Sequence, residues 1–476
     1  MIKLADVKKA KSTKVTKTTK DAKKENNVFR TFDYDNIPIV DLVNEMITDA
    51  FKKRASDIHF DPTPTTLKVR IRIDGVLISY AEVPEIVKKN LSTRIKIIAG
   101  MNITETRLPQ DGAIKMEFDN KPIDMRVSSL PIVDGEKIVI RILDYSRSLD
   151  GLEVLGFTKE NLETVYNILK VPNGIILVTG ATGSGKSTTV YSMLQRLNKI
   201  STNIITVEDP VEMKIPGLNQ VQVMSDIGLT FANTLRSILR QDPDIIMIGE
   251  IRDDETARIA VRASITGHLV LSTIHTNNSL NTIERLLDMD VERYLLGTAL
   301  TGIISQRLTK KLCPKCRKER ETTEYEKIVF KKALNQDVDK IYEPVGCKEC
   351  IGGYLGRIPI HEVLELNQEI RDAIVNNVRK DELRNLVYNK TKVKTLLEDG
   401  LIKVLNGDTS FEEVLRVIDV EEDFGEADED IKNAILGKIK EDELKQETKE
   451  EETIEETLTN DVEETLDYEK TDYEVL

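Results

Sequence analysis

The 476-residue sequence has no long hydrophobic run, and no stretch approaches the 18 apolar residues that suggest a membrane-spanning helix. The N-terminus also lacks the apolar segment of a secretory signal. We therefore expect a cytoplasmic protein. A chain of this length is expected to contain two or three domains, each with its own hydrophobic core.

Aromatic residues and cysteines are both scarce. Aromatic residues make up 5% of the chain, and no basic stripe runs through its central part, which argues against a nucleic-acid-binding module. The four cysteines form two Cys-x-x-Cys pairs, a pattern that in a cytosolic protein indicates metal binding rather than disulfides.

Charge is unevenly distributed along the chain: the C-terminal end is rich in acidic residues and the N-terminal end is rich in lysine. The net charge of −14 comes from residues 421–476, where 23 acidic residues stand against 6 lysines. We expect this segment to be an acidic, disordered tail, with a short helix at Asp430–Leu444 as an option. Residues 1–30 are predicted to form a solvated, disordered basic arm, with docking to an anionic membrane surface as the alternative.

A glycine-rich loop follows an apolar strand and leads into a helix within residues 174–189. It fits the pattern G-x-x-x-x-G-K-[ST] in the context that this pattern requires. The glycines let backbone N–H groups surround phosphate oxygens, Lys186 can reach the β- and γ-phosphates, and the Ser187 hydroxyl can bind Mg²⁺. The predicted ligands of ATP and Mg²⁺ are Gly180, Thr182, Gly183, Ser184, Gly185, Lys186, Ser187 and Thr188.

Residues 32–142 show a mixed pattern typical of a self-contained α/β domain. An amphipathic helix fits Ile39–Lys53, and alternating apolar residues predict strands at Leu67–Ile73, Pro122–Ser128 and Lys137–Leu143. Turns are predicted at three Asp-Gly pairs, 74–75, 111–112 and 134–135.

Apolar strands alternate with helical segments from residue 171 to about residue 306, which indicates a parallel sheet covered by helices. Such sheets bind ligands at the carboxyl ends of their strands. Polar residues occur at three of these strands, in TVEDPVE (206–212), DIIMIGEIRD (244–253) and GHLVLSTIHT (267–276). Glu250 follows Gly249 at the end of a Walker B-like strand and is the candidate to orient or deprotonate the attacking water.

The ordered set of motifs resembles the ATPase family of type II secretion and type IV pilus assembly, over roughly residues 32–420. The matching segments are the phosphate loop, TVEDPVE, IMIGEIRD, GHLVLSTIHT, the cysteine pairs and, nearer the N-terminus, SDIHFDP, VRIRIDG, RLPQDG, DMRVSSLP and GEKIVIRIL. The resemblance implies an α/β fold in which a PAS-like N-terminal domain precedes a RecA-like P-loop ATPase domain. Gly249, where an ordinary Walker B strand carries aspartate, is normal for the family.

Carried over by motif, the resemblance implies a catalytic role for Glu250, an assisting role for Glu208 and a γ-phosphate contact for His268. It adds His275 and two N-terminal-domain arginines, Arg126 and Arg141, to the nucleotide-binding residues. A histidine beside a strand is more often structural, and a strand-face arginine more often pairs with a carboxylate, so these alternatives remain open.

The cysteine pairs predict a structural zinc site. Cys313, Cys316, Cys347 and Cys350 suit a closed tetrahedral site of four thiolates, and a helix such as Thr323–Ala333 is expected in the 30-residue gap between the pairs. In the resembling family, assembly ATPases often carry this element and retraction ATPases lack it. The resemblance therefore favours fibre assembly.

The expected protein is a cytoplasmic homohexameric motor at the inner face of the membrane, where a platform protein would recruit it, alone or with help from the arm. It hydrolyses ATP to assemble a type IV pilus, a competence pilus or a secretion pseudopilus. The alternatives are a pilus retraction ATPase, a zinc-dependent nucleic-acid-binding protein and a regulatory ATP binder. The predicted domains are a basic arm (1–30), an α/β domain (31–145), a linker and helix (146–170), an ATPase domain (171–420) with a zinc element (307–365) and a helical part (366–420), and a tail (421–476).

Overall fold

The computed structural model describes residues 28–118, 121–143 and 151–419, together with positions 433 and 435. The chain divides into two compact units, with the boundary after Ile142. Most of the predicted basic arm and nearly all of the predicted acidic tail lie outside the described residues; of the optional helix only positions 433 and 435 are described, and both are helical. Within the described part, no helix has the length and hydrophobicity to cross a bilayer.

In its described residues, the first unit contains a six-stranded sheet and two helices. The order β3-β2-β1-β6-β5-β4 includes the antiparallel pairs β1 with β2, β1 with β6 and β4 with β5. Both helices contact the sheet through their apolar faces. The elements are α1 (Ile39–Lys52), β1 (Ala55–Pro62), β2 (Thr66–Ile73), β3 (Val76–Pro84), α2 (Glu85–Ile98), β4 (Gln110–Phe118), β5 (Lys121–Ile132) and β6 (Gly135–Leu143).

The turn predicted at Asp111-Gly112 was wrong. Both residues lie inside β4, where Asp111 pairs with Ser128 and Gly112 pairs with Val127. A Cβ at Gly112 would lie only 2.3 Å from the carbonyl oxygen of Ala99, just after α2. The glycine is therefore required by a close approach of two backbones rather than by a turn.

The second unit is built on a seven-stranded sheet in the order β15-β12-β7-β11-β10-β8-β9. The strands from β12 to β9 run parallel, and β15 pairs antiparallel with β12. Its strands are β7 (Gly174–Thr179), β8 (Ile204–Glu208), β9 (Asn219–Gln222), β10 (Ile245–Ile248), β11 (Leu269–Ile274), β12 (Leu300–Leu312) and β15 (Tyr354–Glu365). The predicted parallel sheet is confirmed.

Helices cover both faces of this sheet. Alternate residues of its central strands point to opposite faces and belong to two different cores. In β7, Ile175 and Leu177 belong to one core, and Ile176 and Val178 belong to the other. The flanking helices of the first core include α5 (Phe231–Ile238), α6 (Asp254–Ile265), α7 (Ser279–Asp288), α8 (Arg293–Ala299) and α10 (Gln368–Val375). Those of the second core include α3 (Lys159–Ile168) and α4 (Lys186–Leu197).

A small lobe lies between β12 and β15 in the chain. It contains a two-stranded sheet, β13 (Lys318–Glu321) with β14 (Lys340–Glu343), and the helix α9 (Glu324–Leu334) between them. A capping box between Thr323 and Glu326 starts α9 where the sequence predicts a helix. A third core joins this lobe to the C-terminal helices α12 (Leu396–Leu405) and α13 (Phe411–Val417). Between α10 and α12 lie α11 (Lys380–Arg384) and a π-helical segment, Asn385–Lys390.

Candidate active site and cysteine cluster

The glycine-rich loop joins the end of β7 to the start of α4, as the sequence predicts. Gly180, Gly183 and Gly185 all have positive φ angles, of 146°, 79° and 93°, which L side chains rarely adopt. A Cβ at Gly180 would lie 2.3 Å from the carbonyl oxygen of Gln306 and 2.6 Å from the Ser184 hydroxyl. The loop therefore depends on these glycines to wrap closely around the space at the N-terminus of α4.

Lys186 extends across the inside of this loop. Its Nζ donates to the carbonyl oxygens of Gly180 at 2.8 Å and Ala181 at 3.1 Å, and the residue is buried. Burial lowers the pKa of Lys186 to about 8, and the opposing attraction of Glu250 shows that this carboxylate is nearby. A buried ammonium group that donates to neutral carbonyls is a good receptor for phosphate oxygens. The neighbouring Ser187 is half-buried at the first turn of α4.

Glu250 follows β10 and is held by two cationic or ionisable side chains. The Nη2 atom of Arg252 lies 2.6 Å from Glu250 Oε1, and the Nε2 atom of His275 lies 3.7 Å from Oε2. The Glu250 side chain is 16% exposed. The arrangement leaves the carboxylate partly open to solvent and fixed at the carboxyl edge of the sheet, near Lys186. Arg252 is not among the residues predicted from the sequence, although its position two residues after Glu250 is a usable signal.

The two histidines of the third motif lie at opposite ends of β11. His275 follows the strand and lies at the carboxyl edge with Glu250. His268 precedes the strand, and its Nδ1 donates to the carbonyl of Ala263 at 2.9 Å. Its own carbonyl accepts from the N–H of Gly174, at the start of β7 and away from the phosphate loop. The structure therefore brings His275, and not His268, to the phosphate loop of its own chain.

Glu208 ends β8 and is engaged by neighbouring side chains. Its Oε1 accepts from Thr206 Oγ1 at 2.6 Å and from Gln220 Nε2 at 3.0 Å, and its Oε2 accepts from the Tyr191 hydroxyl. The residue is buried. Burial, together with the charge of Glu208, raises the pKa of Tyr191 far above its ordinary value. This network links the end of β8 to α4, the helix that follows the phosphate loop.

The two predicted arginines belong to the first unit. The Nε atom of Arg141 in β6 lies 3.0 Å from Oδ1 of Asp57, a buried carboxylate of β1. Arg126 in β5 is half-buried, and its Nη2 makes no hydrogen bond to any residue that the structure describes. Arg141 thus has the strand-face ion pair that the sequence left as an alternative, whereas Arg126 retains an unsatisfied donor.

The four cysteines converge although 30 residues separate the pairs. All are free thiols, and their four sulfur atoms lie within 4.8 Å of one another. The Sγ–Sγ distances are 3.9 Å for Cys313–Cys347, 3.6 Å for Cys316–Cys350 and 3.6 Å for Cys347–Cys350. Tetrahedral zinc with Zn–S bonds of about 2.3 Å requires sulfur atoms about 3.8 Å apart. The cluster therefore has the dimensions of a four-thiolate zinc site.

A phosphate loop with its buried lysine and a carboxylate at a neighbouring strand end, on a doubly covered parallel sheet, defines a P-loop ATPase. Residues 33–416 match the model of the family described as Type II/IV secretion system protein. The chain belongs to this family and is an ATP hydrolase.

Two curated relatives and two solved structures illustrate the likeness. A putative type II secretion system protein E of Escherichia coli strain K12 is 46% identical over 381 residues, covering 80% of this chain and 77% of the relative. The type IV pilus assembly ATPase PilB of Myxococcus xanthus is 45% identical over 388 residues, covering 80% and 68%. The pilus retraction motor PilT with bound ADP shares 27% identity with a TM-score of 0.54, over 80% of this chain and 97% of that one. The Legionella pneumophila ATPase DotB, 22% identical with a TM-score of 0.60 over 79% and 95%, shows the shared fold.

Proposed function

We propose that this ATPase powers assembly of a type IV pilus, a competence pilus or a type II secretion pseudopilus. In this proposal it works in the cytoplasm as a homohexamer, attached peripherally to a platform protein of the inner membrane. The observation that carries the hydrolytic part is the position of Glu250, which is fixed by Arg252 and His275 at the edge where Lys186 lies. The preference for assembly is supported by relatives with that role and by the cysteine cluster.

Different residues of the loop bind different parts of MgATP. Lys186 exchanges its loop carbonyl partners for oxygens of the β- and γ-phosphates, and the N–H groups of the loop and of the first turn of α4 surround the phosphates. The Ser187 hydroxyl would hold Mg²⁺, which when bound neutralises phosphate charge. The remaining predicted contacts come from Thr182, Gly183, Ser184 and Thr188.

Glu250 orients the attacking water and accepts its proton. Arg252 holds one oxygen of the carboxylate through an ion pair at 2.6 Å. His275 contacts the other carboxylate oxygen and limits its rotation. We assign the γ-phosphate contact to His275 on the basis of its position, and we assign Glu208 an assisting role through its bond to Tyr191 of α4.

Domain organisation is part of the proposal. We propose an α/β domain at 31–145, a linker and helix at 146–170 and an ATPase domain at 171–420, with Arg126 and Arg141 reaching the nucleotide when the domains close. Arg126 is the stronger candidate because it retains an unsatisfied donor, whereas Arg141 must first leave Asp57. Four-thiolate zinc would stabilise the lobe at 307–365.

The primary test is ATP turnover by the purified full chain and by Glu250→Gln. The variant should lose at least about 100-fold in kcat while its affinity for ATP survives, because only the proton acceptor is removed. Glu255→Gln, which changes an exposed carboxylate five residues further on, is the matched control and should keep normal turnover. Full activity of Glu250→Gln would contradict the assignment.

Whether the ATPase drives fibre assembly or fibre retraction is tested in cells. Replacing the gene by the Glu250→Gln allele should abolish surface fibres or pseudopilus-dependent secretion. Accumulation of surface fibres would instead support the retraction alternative. Salt-sensitive binding of the purified chain to DNA or RNA would support the nucleic-acid-binding alternative.

A further inference from the structure

Gln306 lies in the middle of β12 and bonds through its side-chain carboxamide both to the phosphate loop and to α4. The residue is 1% exposed. Its Nε2 donates to the carbonyl oxygen of Ser184 at 2.8 Å, and its Oε1 accepts from the Thr189 hydroxyl of α4 at 2.8 Å. These partners fix the orientation of the carboxamide, because a carbonyl can only accept and the oxygen is then left for the hydroxyl donor.

The same residue also packs against two loop glycines. The main-chain carbonyl oxygen of Gln306 would lie 2.3 Å from a Cβ at Gly180, and its side-chain Nε2 would lie 3.1 Å from a Cβ at Gly185. Pairing of β12 with β7 places it there, since Ser305 is in register with Thr179 at the end of β7. The loop is thus enclosed on one side by a single buried side chain and its backbone.

The bond to Ser184 has a consequence for phosphate binding. A trans peptide is planar, so the N–H of Gly185 points opposite to the carbonyl of Ser184. Because Gln306 holds that carbonyl, it turns the Gly185 N–H away from β12 and towards the inside of the loop. The carbonyls of Gly180 and Ala181 accept from Lys186, and that of Ala181 also accepts from the Ser184 N–H at 3.2 Å, whereas the Ser184 carbonyl accepts from Gln306.

We propose that Gln306 is a positioning residue that sets the Ser184–Gly185 peptide, and with it the affinity of the loop for nucleotide phosphates. The inference rests on the proposed phosphate-binding role of the loop. A loop N–H that contacts phosphate in both the ground state and the transition state contributes uniform binding. Loss of Gln306 should therefore raise KM and leave kcat nearly unchanged.

The test compares the full chain with Gln306→Glu, which keeps the shape but replaces the donor by an oxygen facing the Ser184 carbonyl. At pH 8 we expect roughly a tenfold rise in KM for MgATP and in Kd for ADP, with kcat changed by less than about twofold. A core residue without a positioning role would show no such split between KM and kcat.

Thr189→Val provides a second arm should Gln306→Glu fold poorly. It removes the hydroxyl that holds the other end of the carboxamide and should raise KM by about threefold. Thr309→Val is the matched control, because this buried threonine of β12 bonds to the Ile358 carbonyl and not to the loop. Unchanged KM and Kd in folded Gln306→Glu and Thr189→Val would overturn the proposal. An unmodified chain that neither binds nor hydrolyses ATP would instead overturn the proposed function on which the inference rests.

Discussion

The imidazole Nε2 of His275 lies 3.7 Å from the Oε2 atom of Glu250, at the edge of the sheet that carries the phosphate loop. Burial lowers the pKa of His275, the positive charges of Lys186 and Arg252 lower it further, and Glu250 opposes them. At neutral pH the imidazole is therefore mostly uncharged. A neutral ring beside the proposed catalytic carboxylate can hydrogen-bond to the attacking water without neutralising the charge of Glu250.

His275→Gln should lower kcat for ATP hydrolysis by about tenfold, because the carboxylate loses one of the groups that position it. His268→Gln should change kcat by less than about twofold, since His268 bonds to Ala263 before the start of β11. Six strand residues separate the two histidines, which is about 20 Å of extended chain. Steady-state ATPase assays of both variants check the ranking, and a larger loss in His268→Gln would contradict it.

Nucleotide affinity should fall as pH rises above about 8, because Lys186 then loses its proton in the empty site. Binding at pH 9 should be accompanied by proton uptake, which calorimetry in two buffers of different ionisation enthalpy measures directly. Lys186→Ala should show neither the affinity nor the uptake. Binding at pH 9 without proton uptake would contradict the lowered pKa.

The same pKa predicts how Lys186 affects folding. Its value is about 8 in the folded chain and 10.5 as the reference value, so between these limits the unfolded chain holds more protons. Stability of the nucleotide-free chain should therefore gain a contribution as pH rises through this window. The contribution of Lys186 is obtained by comparing the denaturant midpoints of the unmodified chain and of Lys186→Met from pH 7 to pH 10. An identical pH dependence in both chains would speak against it.

Removal of zinc should lower the thermal midpoint more than it lowers nucleotide affinity. Cys313 and Cys350 are buried and link the ends of β12 and β15 through the lobe, whereas the phosphate loop adjoins β12 seven residues earlier, at Gln306. Cys350→Ser and chelator treatment should each cause this loss of stability, measured beside ADP affinity. Metal analysis should find one zinc per chain, and a purified chain without zinc would overturn the assignment.

Lys403→Met should destabilise the C-terminal helices by about 3–5 kcal/mol, because it leaves Asp399 buried and unpaired. The two side chains are 4% and 0% exposed and form an ion pair within α12, and Asp399 also accepts from the His361 N–H at 2.8 Å. Lys327→Met, at an exposed pair with Glu324, should change stability far less, because solvent screens that pair. Urea denaturation measures both changes, and Asp399→Asn added to Lys403→Met should recover most of the loss.

Sequence signals are strong wherever a function depends on residues close together in the chain. The glycine loop, its lysine and the start of α4 lie within one short segment, so spacing alone predicts their geometry. The cysteine pairs are also local, and two pairs of the same kind predict one shared metal even across 30 residues. Asp111-Gly112 shows the limit of such reasoning, because a glycine that a turn requires looks the same in sequence as one required by the nearby Ala99 carbonyl.

The sequence by itself determined the P-loop class, the order of strands and helices around the loop, and the four-thiolate cluster, since each follows from short-range pattern and ligand chemistry. Tertiary structure decided which residues meet. Strand direction sends His275 to the phosphate edge and His268 away from it, and pairing of β12 with β7 brings Gln306 to the loop from 122 residues beyond Ser184. Burial decided that the Glu208 carboxylate is held by Tyr191, Thr206 and Gln220. These outcomes depend on register and packing, which no local pattern specifies.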